Sequence, residues 1–183
     1  MRWTKAGRQP GNMRRLPYAL ALFACALIFS PAPASSITSG EAAPIFELAD
    51  LQGKKHTLSD YLGKVVLINF WASWCRECIT EMSSLNTLYT QFSRQGLVVL
   101  GVTVDRKSED AGAAAKKARI DFPILLDSKG EVFIKKYAVI GLPTTIIVDR
   151  KGIITEILLG TQDFQEKEIT DRMASLLKGK SIP

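Results

Sequence analysis

The elements legible in this chain run βαβα and then ββα, which predicts an α/β domain: a mixed central β-sheet flanked by helices. Three observations carry that expectation. Val65 to Phe70 and Leu97 to Val104 are mostly apolar runs of the kind found in strands covered on both faces. Between them Cys78, Met82, Leu85, Tyr89 and Phe92 recur at helical spacing, forming one core-facing stripe. Near the end, Asp149-Arg150-Lys151-Gly152 is a hairpin signal joining two further apolar runs.

Taken in order, Ile45-Phe46-Glu47-Leu48 is a short strand, and Gly53-Lys54-Lys55 turns it into His56-Thr57-Leu58, an N-terminal β-hairpin. Ser59-Asp60 is placed to cap a single turn ending at Gly63. The strand from Val65 leads through Asn69-Phe70-Trp71 to Trp74-Cys75-Arg76-Glu77-Cys78, where a helix begins that runs from about Arg76 to Arg94. Gly96 stops it, and the second buried strand follows, with Asp105 at its carboxyl end. Glu109 to Arg119 reads as a surface helix, Phe122 to Leu126 as an extended segment, and Glu131 to Tyr137 as a short helix. Gly141-Leu142-Pro143-Thr144-Thr145 interrupts the pattern before a strand over 145–148, which pairs back with 153–159. Phe164 to Leu177 closes the chain as a helix with Ile169, Met173 and Leu176 on one face.

With 183 residues, 46% of them hydrophobic and 23% charged, the chain is globular in character and has enough length for a sizeable core. Its net charge of +6 is unevenly placed. Arg2, Lys5, Arg8, Arg14 and Arg15 account for five of the 24 basic residues, and the remaining 19 face 18 acids, a net of +1. The basic balance therefore belongs to the leader, and nucleic acid is not an expected partner. In that leader, Arg14-Arg15 precede 14 uncharged, mostly apolar residues from Leu16 to Phe29, then Ala32-Pro33-Ala34, an A-x-A cleavage pattern. Residues 1–34 are expected to be a signal peptide or an N-terminal membrane anchor, 35–44 a tether, and 45–183 the folded domain. Fourteen residues are short for a membrane span, which takes about 20. Met13 opens a more conventional signal sequence than Met1 does. Cys25 reads as an ordinary small residue of the apolar run, because Phe23 before it and Ala26 to Phe29 after it disfavour a lipid-attachment site.

Cleavage of the leader leaves Cys75 and Cys78 as the mature chain's two cysteines, a close pair without a wider disulfide framework. In an exported protein such a pair is better suited to redox work than to structure, since closing so short a loop removes little unfolded-chain entropy. Dithiol exchange needs a thiolate that attacks a disulfide and a second thiol that resolves the mixed disulfide. Cys75 is the better nucleophile, because unpaired amides and the helix dipole at a helix start favour an anion. Such sites lower a thiol pKa from ~8.5 into the range of roughly 3.5–7.5. Arg76 works in the same direction and Glu77 against it. Zinc needs four ligands, and outside the leader His56 is the sole imidazole. Copper(I) held by the two thiolates, with Met82 or His56 nearby, remains an alternative of a different class: a copper(I)-binding chaperone. A peroxidase reading is weaker, because the first cysteine lies in a CxxC helix start.

Phe70-Trp71-Ala72-x-Trp74-Cys75-x-x-Cys78, followed downstream by Gly141-Leu142-Pro143-Thr144-Thr145, resembles the thioredoxin superfamily. Asn69-Phe70-Trp71-Ala72, Glu81-Met82, the long stretch between Leu97 and Leu126, and the leader resemble its TlpA/ResA/DsbE-type extracytoplasmic thiol–disulfide oxidoreductases. The resemblance covers roughly residues 43–177 and implies a thioredoxin-like fold with an N-terminal β-hairpin and a central insertion. It also implies a redox-active disulfide between Cys75 and Cys78 with no other cofactor and no metal, Cys75 attacking and Cys78 resolving. Pro143 would be a cis-proline beside the dithiol, Leu142 would offer backbone hydrogen bonds to a bound client, and Trp71 and Trp74 would flank the site.

Two departures matter. Asn69 stands where many thioredoxins have a buried, proton-relaying aspartate, so that role passes to Glu81, one turn after Cys78. Arg76-Glu77 replaces the x-Pro of many such motifs, and Ser83 stands where a proline commonly follows Glu-Met. The expected function is reduction of disulfides in exported proteins, apocytochrome c among the candidate clients, by a monomer. It would sit in the periplasm or otherwise outside the cytoplasm, with a membrane dithiol donor upstream.

Overall fold

The computed structural model describes residues 37–179, so the expectations for the leader, its cleavage site and Cys25 lie outside the described residues. Seven strands and three α-helices follow one another. They are β1 (Glu47–Ala49), β2 (Lys55–Thr57), β3 (Val65–Trp71), α1 (Arg76–Phe92), β4 (Leu97–Thr103), α2 (Ser108–Lys117), β5 (Ile124–Leu126), β6 (Thr144–Val148), β7 (Ile154–Leu159) and α3 (Lys167–Leu177). β1 and β2 pair antiparallel as the expected hairpin. The other five form one mixed sheet in the order β5-β4-β3-β6-β7, with β3, β4 and β5 parallel and β6 and β7 antiparallel to their neighbours. This is the thioredoxin-like architecture, with α2 and β5 inserted between β4 and β6.

β3 is the central strand and every one of its residues is buried, which explains its apolar character, interrupted by Asn69 alone. Its side chains alternate between two cores. Val65, Leu67 and Trp71 join α1 and α3 on one face, with Cys75, Cys78, Met82, Leu85 and Met173. Val66, Ile68 and Phe70 join Phe46, Leu58, Tyr137 and Ile146 on the other. Fully burying an apolar side chain of this size stabilises a fold by about 1.5–3 kcal/mol, so β3 anchors both layers.

β4 lies beside β3 with Gly101 opposite Asn69. A Cβ there would come within 2.8 Å of Ile124 Cδ1, 2.9 Å of the Phe122 ring and 3.3 Å of Trp71 Nε1, so glycine leaves the space that the Trp71 indole fills. At the end of α1 the chain tightens into a short 3₁₀ turn (Ser93–Gln95), and Gly96 then takes a left-handed conformation at φ 103°.

Three local expectations shift. The single turn before β3 starts at Leu58, with Thr57 as its N-cap and Asp60 completing the capping box. The short helix over Glu131–Lys136 is π-wound, and the Asp127 carboxylate accepts hydrogen bonds from the Val132 and Phe133 amides at its start. Residues 38–43, within the stretch read as a tether, lie beside β7. The Gly40 N–H donates to the Ile154 carbonyl, the Ala43 N–H to Gly152, and the Ile154 N–H to Glu41, each at 2.8 Å. No helix among the described residues is long and apolar enough to cross a membrane.

Candidate functional site

β3 ends at Trp71, and four residues later Cys75 is the N-cap of α1. Its extended backbone and short side chain suit that role, and its sulfur accepts a hydrogen bond from the Cys78 N–H at 3.2 Å. A group at the head of a helix meets unpaired amides and the positive end of the dipole, both of which favour a thiolate once the bond is opened. The structure holds the oxidised state, with Cys75 and Cys78 joined by a 2.05 Å S–S bond across a Cα separation of 5.3 Å. Cys75 retains 6% of its surface and Cys78 none, so Cys75 is the one member of the pair with any exposure.

The loop that presents Cys75 is held from β4. The Asp105 carboxylate accepts from the Ser73 N–H and the Ser73 hydroxyl, both at 2.9 Å, and from the Thr103 hydroxyl at 2.7 Å. Asp105 is buried and directly stabilises the turn between β3 and α1. Its role went unread in the sequence, where the available signal was an acid at the carboxyl end of a buried strand.

The second wall comes from β6. Phe70 pairs with Thr144, so Pro143 lies across from the end of β3 where the chain turns toward the dithiol. The Leu142–Pro143 bond is cis. The Thr144 hydroxyl donates to the Gly141 carbonyl at 2.8 Å and the Gly160 N–H to the Pro143 carbonyl at 3.0 Å, which ties this loop to the end of β7. Ile140, at 97%, and Trp74, at 71%, are the most exposed large apolar residues. Trp71 is different. It is fully buried in the same cluster as both cysteines, so it supports the site from beneath and only Trp74 stands at its surface.

Glu81 is buried on α1, one turn beyond Cys78 and on the same helix face. Its Oε1 accepts from Asn69 Nδ2 at 2.8 Å and its Oε2 from the Gln162 backbone N–H at 3.0 Å. Asn69 Nδ2 also donates to the Thr145 hydroxyl at 2.9 Å, and Asn69 Oδ1 has no partner. Burial pushes the Glu81 carboxyl above the usual carboxylate range, while the Gln162 and Asn69 hydrogen bonds pull it back in part. Glu81 borders an open polar recess with Thr80, Ser83 and Thr87 of α1 and Thr161 to Asp163 of the loop after β7. Asn69 and Glu81, singled out separately in the sequence, are hydrogen-bonded to each other, and Gln162 had no signal there.

The metal alternatives find little to build on beyond the two sulfurs. Met82 is core. The ring nitrogens of His56 are both engaged, Nε2 with Asp50 at 2.8 Å and Nδ1 with the Tyr61 hydroxyl at 2.5 Å. Among the described residues, no group of three or more His, Cys, Asp and Glu is placed to hold a metal ion.

Comparison with known proteins agrees with this arrangement. Residues 39–157 match the profile of the AhpC/TSA family. The thiol-disulfide oxidoreductase ResA of Geobacillus thermodenitrificans is 38% identical over 127 residues, covering 69% of this chain and 72% of that one. The thioredoxin-like protein YneN of Bacillus subtilis is 40% identical over 134 residues, covering 72% and 78%. Among solved structures, the thioredoxin domain of a thiol-disulfide oxidoreductase from Bacteroides vulgatus superposes with a TM-score of 0.69 at 28% identity. That match covers 78% of this chain and 99% of that one.

Proposed function

The chain belongs to the AhpC/TSA family of thioredoxin-like proteins and is a thiol–disulfide oxidoreductase; we propose that it works outside the cytoplasm as a reductant of disulfides in exported proteins. The observation that carries this reading is the asymmetry of the pair: Cys75 caps α1 and keeps a small exposed fraction, whereas Cys78 is wholly enclosed. In the dithiol form the Cys75 thiolate attacks one sulfur of a client disulfide and expels the other as a thiolate. Cys78 then gives its proton to Glu81, attacks the Cys75 sulfur and releases the client's second thiolate. The client's thiolates take up protons, and Cys75 and Cys78 end as the disulfide seen here.

Trp74 and the backbone of Leu142 beside Pro143 receive the client segment on either side of the sulfur. Apocytochrome c, whose cysteines must be reduced before haem attachment, is a client class that this chemistry serves. A membrane dithiol donor recharges the pair, and residues 1–34 act as a signal peptide or an anchor that keeps the domain at the membrane. The redox pair itself is the only cofactor required.

Replacing Cys75 with Ser abolishes insulin reduction, and full retained activity would sink the mechanism. Replacing Cys78 with Ser traps mixed disulfides with clients, and failure to trap any would reverse the assigned order of attack. A couple potential near ~−270 mV marks a reductant, whereas one near ~−120 mV marks an oxidant. Tight copper(I) binding with no reductase activity would favour the copper(I)-binding chaperone instead.

A further inference from the structure

Asn69 has a side-chain arrangement that the sulfur chemistry does not account for. It lies fully buried in β3, and its amide nitrogen donates to both Glu81 Oε1, at 2.8 Å, and the Thr145 hydroxyl, at 2.9 Å. Its amide oxygen, equally buried, meets no donor. An unpaired buried acceptor is costly and calls for a physical explanation.

A second state of the site follows from the two partners of Glu81. Oε2 is engaged by the Gln162 backbone N–H, which can donate but never accept, so that neighbour offers no partner to a proton. The protein partner open to a Glu81 proton is Asn69, on the Oε1 side. There the amide NH₂ is the wrong partner, because two donors would face each other. Turning the Asn69 amide by half a turn about its last bond brings Oδ1 into the same position. Oδ1 then accepts from the Glu81 O–H and from the Thr145 hydroxyl, which reverses its own role from acceptor to donor, and the unpaired position passes to the amide NH₂.

We propose that Asn69 is a positioning residue whose side-chain amide flips as Glu81 gains or loses a proton, so that the carboxylate and the carboxylic acid are both fully hydrogen-bonded. This rests on the reading of Glu81 as the group that takes the proton from Cys78. As Cys78 is deprotonated, the proton moves to Glu81 Oε1, and the amide turns to accept it. The Cys78 thiolate displaces the client sulfur from Cys75, and the proton leaves Glu81 for solvent at the polar recess, whereupon the amide turns back. The titratable groups around Glu81 are the two cysteines on α1 and Asp163 at the rim of the recess. Glu77 on the preceding turn is exposed, and β3 and β6 present only the neutral Asn69 and Thr145.

The test follows the Asn69 side-chain amide by NMR in the full chain while pH is varied. Its two NH₂ signals should change with the same midpoint as the Glu81 carboxyl carbon. In Glu81→Gln, whose own amide donates toward Asn69, they should hold the acid-form pattern at every pH. Signals that ignore the Glu81 titration, or a Glu81→Gln variant that keeps the neutral-pH wild-type pattern, would overturn the flip. Kinetics provide the second arm. Asn69→Ser keeps a group that can both donate and accept, so it should resolve mixed disulfides much faster than Asn69→Leu. The latter should be about tenfold slower than wild type, with its pH profile displaced, as loss of one hydrogen bond to a charged group implies. Equal rates and unmoved profiles in both would also count against the proposal. If Glu81→Gln instead resolves at the wild-type rate, the proton role of Glu81 fails, and the NMR result still reports on the flip by itself.

Discussion

At the scale of single residues, the site turns on an acid that folding makes harder to ionise. Burial raises the Glu81 pKa above its ordinary value, so between the two values the folded chain binds more protons than the unfolded one. Its contribution to stability is therefore fully present below the ordinary carboxylate range and is lost as pH rises through the raised value. Glu81→Gln removes that slope, so the variant should lose less stability than wild type between about pH 4 and pH 8. Urea denaturation across that range checks it, and parallel curves for the two proteins would contradict it. The pair Asn69 and Glu81 was recognisable in the sequence because a polar residue interrupts an apolar strand and an acid follows Cys78 by one turn. That their partners include the Gln162 backbone, 81 positions from Glu81, was not. Nothing in a local pattern reports which loop will close over a helix.

At the scale of elements, β3 and β4 are matched by what each omits. Gly101 leaves open the space into which Trp71, Phe122 and Ile124 pack. Gly101→Ala should cost about 1–3 kcal/mol, the usual range for an added methyl in a filled core. A lowered urea midpoint with unchanged slope would show it. A neutral result would mean that the Ile124 methyl and the Phe122 ring both move aside without cost. The strand and helix pattern here was readable because both faces of β3 are buried and one stripe of α1 is. Helix ends were less so. The Glu131–Lys136 helix is π-wound, and one carboxylate, Asp127, holds two amides at its start. The turn before β3 starts earlier than expected because Thr57 and Asp60 form the capping box.

Across the whole molecule, the N-terminal hairpin is bound to the sheet by polar as well as apolar contacts. Asp50, itself buried, accepts from the Gln52 and Lys54 amides and pairs with His56, which in turn meets Tyr61 on the turn leading to β3. Burial alone would raise the Asp50 pKa, but the His56 and backbone hydrogen bonds together bring it below the ordinary value. Asp50 also forms an antiparallel bridge with Leu125 in β5. His56→Ala removes the link and leaves Asp50 and Tyr61 without it, so amide exchange should accelerate across β1 and β2 while β3, β4 and β6 stay protected. Uniform acceleration through the whole sheet would show that the hairpin is not a separate unit.

The sequence by itself determined the local chemistry: a buried strand, two cysteines at a helix start, and a helix whose stripe carries Cys78 inward. These follow from periodicity and from the unpaired amides of a helix terminus, which are properties of a few consecutive residues. The fold order followed from the same patterns, and the resemblance added Pro143 and Glu81 by position. Only the tertiary structure decided how enclosed each sulfur is, that Asp105 holds the loop before Cys75, and that Trp71 supports the site while Trp74 faces solvent. It also decided that residues 38–43 pair beside β7 and that Asn69 Oδ1 lies buried without a partner. Each of these depends on which distant segment packs against the residue, and burial and hydrogen-bond partnership across such distances exist only once the chain has closed.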